Sequence, residues 1–88
     1  LDGLTKALAI GHAADGIIAN CIAPGFTDTE LTRNILGEQG IQKITGNIPI
    51  QRMASVEEIS KFVLWLSGPE NTYITGQNIL IDGGFSNA

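Results

Sequence analysis

The residues with the clearest potential for chemistry lie in one short stretch, where an apolar segment runs into a corner followed by hydroxyl-bearing residues. Pro24 and Gly25 form the corner, and Thr27 and Thr29 follow it. In open α/β sheets, ligands bind beyond the carboxyl ends of the strands. The stretch therefore predicts a ligand-binding loop between a strand and a helix.

The same stretch also has a plain structural explanation. A Pro-Gly pair by itself is most often a turn, and Thr27, Asp28 and Thr29 are all suitable N-caps for the helix that follows. Cys21 is expected to be an unreactive thiol in a strand, and His12 a solvated helix residue. With one Cys and one His in the chain, no metal site is predicted.

Composition limits the classes of protein to which the chain can belong. Its 88 residues are 43% hydrophobic, which excludes a disordered chain and corresponds to one domain or part of one. The net charge of −4, without a basic cluster, predicts no nucleic-acid partner. No apolar run approaches the roughly 20 residues that span a membrane, and no signal peptide is recognisable. A single Cys suits a reduced compartment, so the expected location is the cytoplasm.

The first element that must position the loop is a helix over residues 1–14 with two apolar stripes. The stripes consist of Leu1, Leu4 and Leu8, and of Ala7, Gly11 and Ala14. Their helical spacing predicts that both stripes are buried. The helix is expected to stop at Asp15-Gly16, because Gly readily takes the left-handed conformation.

A strand and two helices are predicted next. Residues 16–23 are apolar nearly throughout, as in a parallel strand covered on both faces, so an interior strand is expected. A helix over residues 30–36 should end at Gly37, with another short helix around residues 40–44. Residues 47–54 have no clear period and are expected to form a surface loop.

The second half of the chain is marked by clear start and stop signals. Ser55 and Glu58 fit a capping box at the start of a helix, which Gly68-Pro69 should end. The apolar face of this helix comprises Val56, Ile59, Phe62, Val63 and Leu66. Residues 78–81 read as a second strand. The order helix, strand, helical crossover, strand predicts an α/β protein with a right-handed connection between parallel strands. Because two strands alone would leave an open sheet edge, we expect further strands before Leu1.

Several motifs, in this order, resemble the C-terminal part of the short-chain dehydrogenase/reductase family. They are Leu-x-Gly-Leu-Thr-Lys-Ala-Leu-Ala at residues 1–9, the stretch at residues 20–25, Tyr-Ile-Thr-Gly-Gln at residues 73–77 and Ile-Asp-Gly-Gly at residues 81–84. The resemblance covers the whole chain and is strongest to members like the 3-oxoacyl-acyl-carrier-protein reductases. It implies that residues 1–88 are the C-terminal portion of one Rossmann-type, doubly wound parallel sheet domain, with no second domain.

The resemblance also implies an activity. Family members use NAD or NADP to transfer hydride between the nicotinamide and a small-molecule carbonyl or secondary alcohol. Their catalytic Tyr-x-x-x-Lys motif lies on the helix whose second half resembles residues 1–14, so it would fall just before Leu1. We therefore expect no catalytic residue within the 88 residues, and no activity from this chain alone.

Cofactor-binding roles are implied for the loop. Pro24 and Gly25 match the family's wall of the nicotinamide site, and Phe26 is expected near the ring. Thr27 matches the position whose backbone N–H and C=O meet the carboxamide. The Thr29 hydroxyl would reach the carboxamide or the pyrophosphate, beside a helix N-terminus that favours negative charge.

Further implications concern the substrate and the assembly. Leu31 and Ile35 lie on a helix that covers the substrate in relatives, although an ordinary core role is equally open. Asn20 also matches a family position, and we expect its side chain to bond to neighbouring backbone. Relatives are homo-oligomers, usually tetramers, so a tetramer or dimer is expected, with contacts from the first helix, the Ser55 helix and the last strand.

Two other hypotheses remain at this point. The chain could be a truncated, non-catalytic relative that acts through oligomer contacts. It could also be a small ligand-binding module without redox chemistry, which would fold as a compact monomer.

Overall fold

The computed structural model describes residues 1–87 and shows an α/β architecture. The elements are helix α1 (Asp2–His12), a 3-10 turn (Ala13–Asp15), strand β1 (Cys21–Pro24), helix α2 (Glu30–Asn47), helix α3 (Val56–Ser67), strand β2 (Asn78–Ile81) and a last 3-10 turn (Phe85–Asn87). None of these helices is both long and apolar enough to cross a membrane. The predicted order of helix, strand, helical crossover and strand is confirmed.

The two strands pair in parallel. Gly76 N–H donates to Ala19 C=O at 2.7 Å and Cys21 N–H to Gln77 C=O at 2.8 Å, so the bonded positions advance in the same direction along both strands. Within residues 1–87 the sheet has the order β1-β2, so β1 has one neighbour among the described residues, and its predicted interior position stays a prediction. Strand β1 begins later than predicted, at Cys21. Just before it, the Ala19 N–H donates to the Thr75 hydroxyl at 3.0 Å and not to a backbone carbonyl.

The chain divides into two compact units, which are described separately. Unit 1 contains Leu1–Ala23 and Lys61–Leu80, and unit 2 contains Pro24–Ser60 and the residues from Ile81 onward.

In unit 1, helix α1 buries a different face from the predicted one. Thr5 and Ala9 are only 6% and 3% exposed, and a Cβ added to Gly76 would lie 3.3 Å from the Ala9 side chain. The remaining surface of α1 is uncovered in the described chain. Its exposed residues include all members of both predicted stripes: Leu1, Leu4, Leu8, Ala7, Gly11 and Ala14. The prediction that these stripes are buried is therefore wrong for this chain.

The end of α1 follows the prediction. After the 3-10 turn, Gly16 adopts φ 78° and ψ 17°, and its N–H donates to Ala13 C=O at 3.1 Å. The left-handed conformation is the one that Gly takes at helix C-termini. His12 is exposed, with Nδ1 3.3 Å from a carboxylate oxygen of Asp15.

Unit 1 also contains a buried polar residue that the sequence did not single out. Asn71 is 6% exposed, and its side chain makes four hydrogen bonds. Its Nδ2 donates to Leu66 C=O at 2.8 Å and Ile74 C=O at 3.1 Å, and its Oδ1 accepts from the N–H groups of Tyr73 and Ile74. It fixes the turn between α3 and β2.

Asn20 reinforces the same turn. Its Nδ2 donates to Ile74 C=O at 2.9 Å and its Oδ1 accepts from Gln77 N–H at 3.1 Å. The prediction that Asn20 is a structural side chain bonded to backbone is confirmed, although its partners lie far along the chain.

In unit 2, helix α2 is broken at Gly37, which takes the non-helical angles φ 69° and ψ 171°. The predicted stop at this Gly is confirmed. The helical segment after it continues to Asn47, well beyond the predicted residues 40–44. Gly40 and Gly46 adopt helical geometry, and the Thr45 hydroxyl donates to Ile41 C=O at 2.9 Å, which supports the last turns.

The segment after α2 belongs partly to the core. Ile48 and Met53 are 3% and 7% exposed, so the prediction of a surface loop is wrong for these two residues. A Cβ on Gly83, at φ 64°, would lie 2.9 Å from the Ile48 side chain. The turn after β2 therefore packs directly on Ile48, which a search for helical or strand periodicity could not reveal.

Helix α3 is bounded by the predicted signals. The Ser55 hydroxyl accepts from Glu58 N–H at 3.1 Å, and a Glu58 carboxylate oxygen accepts from Ser55 N–H at 2.8 Å, which completes the capping box. Gly68 follows the last helical residue. Of its predicted apolar face, Leu66 is buried and Ile59 and Phe62 are half-buried, whereas Val56 and Val63 are exposed.

Candidate functional site

The candidate site begins where β1 ends, at the Pro24-Gly25 corner in unit 2. Gly25 N–H donates to Ile81 C=O at 2.9 Å. A Cβ added to Gly25 would stand 3.0 Å from both Cα and Cβ of Asp82. The close approach of the chain that follows β2 therefore favours glycine at position 25. This is a structural reason for glycine in addition to any contact with a cofactor.

The backbone beyond the corner is held by Ala54. Ala54 N–H donates to Phe26 C=O at 3.0 Å, and Asp28 N–H donates to Ala54 C=O at 2.8 Å, which makes a parallel bridge between Thr27 and Ala54. In this bridge the N–H and C=O of Thr27 itself point away from Ala54. Thr27 C=O accepts from Thr29 N–H at 2.9 Å, while Thr27 N–H has no acceptor within residues 1–87.

Thr29 is the N-cap of α2. Its hydroxyl oxygen accepts from Thr32 N–H at 3.1 Å and its proton is donated to the Thr32 hydroxyl at 2.9 Å. The prediction that this loop caps the helix is confirmed. Of the three candidates, Thr29 is the N-cap, and Thr27 and Asp28 are not. One lone pair of the hydroxyl remains, beside the free N–H groups of the first turn.

Asp28 forms an ion pair instead of a cap. Arg33 Nε and Nη2 donate to its two carboxylate oxygens at 2.6 and 2.8 Å. The hydrogen bond from Arg33 is the main reason that the pKa of the Asp28 carboxyl lies below its usual range, and it raises the pKa of Arg33. The paired Arg33 offsets the negative charge of the loop, so the loop can accept an anionic group at the helix N-terminus.

Phe26 packs inside unit 2. Its ring meets the Phe85 ring edge to face, with centroids 5.5 Å apart and planes at 85°. It also lines a cavity of about 120 Å³ together with apolar side chains of unit 2, among them Ile48, Ile50 and Ile81. Phe26 thus has a packing role, and its predicted place near the nicotinamide stays a prediction.

Leu31 and Ile35 lie one turn apart on α2 and are 69% and 73% exposed. The alternative that they are ordinary core residues is wrong within the described chain. They present an apolar surface on the first two turns of α2.

Within residues 1–87 no group of His, Cys, Asp and Glu side chains is placed to hold a metal ion. Cys21 is half-buried in β1, with its Sγ 3.7 Å from Ile22 C=O.

The sequence predicted the capping box but not the role of Arg52, whose Nη1 and Nη2 donate to the carboxylate of the capping Glu58 at 2.6 and 2.8 Å. An Arg six residues before a capping Glu is the signal that could have identified the pair.

Comparison with known proteins defines the family. The model of the family described as enoyl-(acyl carrier protein) reductase matches residues 1–86. The chain belongs to the short-chain dehydrogenase/reductase family.

The relatives of this short-chain dehydrogenase/reductase include reductases of several kinds. The chain is 42% identical over 84 residues to a 3-oxoacyl-acyl-carrier-protein reductase of Buchnera aphidicola, covering 96% of this chain and 34% of that protein. Over 87 residues it is 38% identical to a tropinone reductase homolog of Arabidopsis thaliana, covering 98% of this chain and 33% of that protein. The chain thus spans about a third of the length of the curated relatives it matches.

Solved structures of reductases share its fold. YwfH, described as an NADPH-dependent reductase, superposes with a TM-score of 0.92 at 31% identity, over 100% of this chain and 37% of that one. ElxO with NADP bound superposes with a TM-score of 0.87 at 32% identity, over 99% and 36%. These similarities confirm the predicted Rossmann-type α/β fold of the short-chain dehydrogenase/reductase family.

Proposed function

We propose that this chain supplies the nicotinamide side of an NAD(P)-dependent oxidoreductase that transfers hydride between the nicotinamide and a carbonyl or secondary alcohol. The observation that carries the proposal is Thr27, whose N–H has no acceptor in the described chain and lies between the corner and the N-terminus of α2. Such a donor suits the carboxamide oxygen of a nicotinamide. The family membership and the NADP-bound and NADPH-dependent neighbours support the cofactor class.

In this proposal each residue of the loop has a defined task. Thr27 offers its N–H to the carboxamide oxygen and its C=O to the carboxamide nitrogen. Thr29 holds the N-terminus of α2 open and presents its remaining lone pair to the carboxamide, or the helix N–H groups to the pyrophosphate. Pro24 and Gly25 form the wall beside the ring, and Leu31 and Ile35 cover an apolar part of the substrate.

The nicotinamide, when bound, supplies or accepts the hydride. The proton donor and the groups that hold the rest of the dinucleotide are proposed to lie in sequence before Leu1. The 88-residue chain alone is accordingly proposed to be inactive, and turnover of ketones or secondary alcohols by the purified chain would overturn this point.

The proposal includes a homo-oligomer, a tetramer or dimer, working in the cytoplasm. The uncovered face of α1, with Leu4 60% and Leu8 44% exposed, supports an interface with other protein. The same face also favours a second candidate, a non-catalytic relative that acts through oligomer contacts. Coenzyme binding separates the two candidates, because the second requires none.

Amide hydrogen exchange in the intact protein tests the proposed function. Saturation with NAD+ or NADP+ should slow exchange of the Thr27 N–H, because it gains an acceptor. The adjacent Asp28 N–H is a built-in control, since it already bonds to Ala54 C=O at 2.8 Å. ADP-ribose, which lacks the nicotinamide, should leave Thr27 unchanged. Unaltered Thr27 exchange in a protein saturated with coenzyme would contradict the assignment.

A further inference from the structure

The backbone proposed to meet the nicotinamide is held by a single residue of the segment between α2 and α3. Ala54 bonds to Phe26 C=O through its N–H and to Asp28 N–H through its C=O. Both bonds flank Thr27, so the direction of the Thr27 N–H depends on where Ala54 is placed. The position of Ala54 in turn depends on its own neighbours.

The peptide groups on either side of Ala54 are tied to one ion pair. Before it, Met53 C=O accepts from Arg52 Nη1 at 3.2 Å. After it, Ser55 N–H donates to Glu58 Oε1 at 2.8 Å. Arg52 and Glu58 join these two ties through a bidentate contact of 2.6 and 2.8 Å. Ala54 is therefore enclosed in a ring of hydrogen bonds.

The residue before Arg52 shows why this segment needs support. Gln51 has φ 68°, the left-handed region that residues other than glycine rarely adopt. Residues in such conformations persist where surrounding contacts determine them. Gln51 N–H itself donates to Ile48 C=O at 2.7 Å, and the Arg52–Glu58 pair holds the chain that follows it, from Arg52 to Ala54.

We infer that Arg52 and Glu58 are positioning residues for coenzyme binding, which act through Ala54 to fix the Thr27 backbone against the nicotinamide. This inference rests on the proposed function. Neither residue touches the coenzyme in it. The planar fork of Arg52 matters, because Lys cannot make two parallel bonds to a carboxylate while also reaching Met53 C=O.

The side chains of the pair are 56% and 48% exposed. Exposed ion pairs contribute little to global stability, so loss of this pair should leave the protein folded. Its effect should appear in the placement of Ala54, and small displacements of positioned groups can cost large factors in binding and rate. An effect of the pair on coenzyme binding can therefore be separated by experiment from an effect on the stability of the whole fold.

The experiment compares two ligands in the intact protein by titration calorimetry. NAD+ or NADP+ carries the nicotinamide, whereas ADP-ribose, or its 2′-phosphate when NADP is preferred, lacks it. Glu58→Gln is expected to weaken coenzyme binding about tenfold and to leave ADP-ribose binding within about twofold. Arg52→Lys should have the same selectivity and provides a second route if Glu58→Gln folds poorly. Asp2→Asn is the matched control, because it removes the exposed Lys6–Asp2 pair at 3.3 Å in unit 1.

The outcomes distinguish failure of the positioning role from failure of the proposed function. A wild-type protein that binds coenzyme no more tightly than ADP-ribose would overturn the proposed function and this inference with it. Normal coenzyme binding by both variants, in a wild type that does prefer coenzyme, would overturn the positioning role alone. Equal losses for both ligands would also overturn it, because they indicate general damage to the fold.

Discussion

Asn20 and Asn71 donate from their side-chain amides to the same acceptor, the carbonyl oxygen of Ile74, at 2.9 and 3.1 Å. One lies just before β1 and the other between α3 and β2. A single carbonyl group thus joins two parts of unit 1 that are distant in sequence, and it uses both of its lone pairs to do so.

The first prediction concerns this shared acceptor. Asn71→Ala should lower the free energy of unfolding of the intact protein by about 2 kcal/mol, because buried backbone groups lose their partners. Urea unfolding measures the change. Asn34→Ala is the control: Asn34 is exposed on α2, and its replacement should change stability by no more than about 0.5 kcal/mol. Equal effects of the two substitutions would disprove the structural role of Asn71.

The second prediction concerns Gly25. Gly25→Ala should destabilise the protein by about 1 to 3 kcal/mol, because the new Cβ would stand 3.0 Å from the backbone and side chain of Asp82. Gly46→Ala is the matched control: nothing lies within 4 Å of its added Cβ, and Ala in a helix should stabilise by about 0.5 to 1 kcal/mol. Thermal unfolding of both variants gives the comparison. A neutral Gly25→Ala would show that the corner tolerates a side chain.

The third prediction separates the two roles of Thr29. Thr29→Ala should cost about 1 kcal/mol of stability through loss of the cap. Thr29→Asp should retain the cap and the stability, yet weaken binding of NAD+ or NADP+, because a second carboxylate would face the anionic pyrophosphate. Urea unfolding and coenzyme titration report the two effects. Undiminished coenzyme affinity in a stable Thr29→Asp protein would place the pyrophosphate elsewhere.

The fourth prediction concerns acid stability. The hydrogen bond from Arg52, followed by the one from the Ser55 backbone, lowers the pKa of Glu58 to about 2. Because the folded-state pKa is depressed, the contribution of Glu58 is fully present above its ordinary pKa of 4.5 and is lost as the pH falls towards about 2. Glu58→Gln should therefore flatten the decline in stability across this window.

Arg52→Met provides the complementary measurement. Loss of the main cause of the shift should raise the pKa of Glu58, so that its contribution is lost at a higher pH than in the wild type. Thermal midpoints recorded from pH 6 to pH 2 follow both variants. Superimposable pH profiles of wild type, Glu58→Gln and Arg52→Met would contradict the lowered pKa of Glu58.

The fifth prediction concerns assembly. Leu4→Gln with Leu8→Gln should reduce the oligomeric state of the intact protein, measured by light scattering, because both leucines lie on the uncovered face of α1. Ile17→Gln is a control of the same chemistry outside the helices and the strand expected to form contacts, because Ile17 lies before β1 and is 52% exposed. An unchanged oligomer in the α1 double variant would exclude this face as the main interface.

Local sequence signals predicted most element boundaries. Gly16, Gly37 and the Ser55–Glu58 capping box marked ends and starts correctly, because each acts through the conformation or hydrogen bonds of its immediate neighbours. Burial was predicted less well. Leucines at helical spacing show that a face is apolar, but not whether these 88 residues contain its partner, and α1 buries Thr5 and Ala9 instead.

Within the candidate site, sequence reasoning located the loop and its cap but not its support. The bridge between Thr27 and Ala54 joins residues far apart in the chain, so no local sequence pattern predicts it. The same holds for Asn71, whose four bonds depend on how the turn before β2 folds. The burial of Ile48 and Met53 was not predicted, because irregular segments have no periodicity from which burial can be inferred.

The break at Gly37 has a consequence for how this region can change in evolution. Because the helical hydrogen-bond register is interrupted there, residues added or removed between Thr29 and Gly37 do not rotate the faces of the segment that ends at Asn47. The stretch bearing Leu31 and Ile35 can therefore vary in length and shape while Ile48 and the chain leading to Ala54 keep their places. Under the proposed function, a new substrate preference would arise in this stretch without rebuilding the loop proposed to meet the nicotinamide.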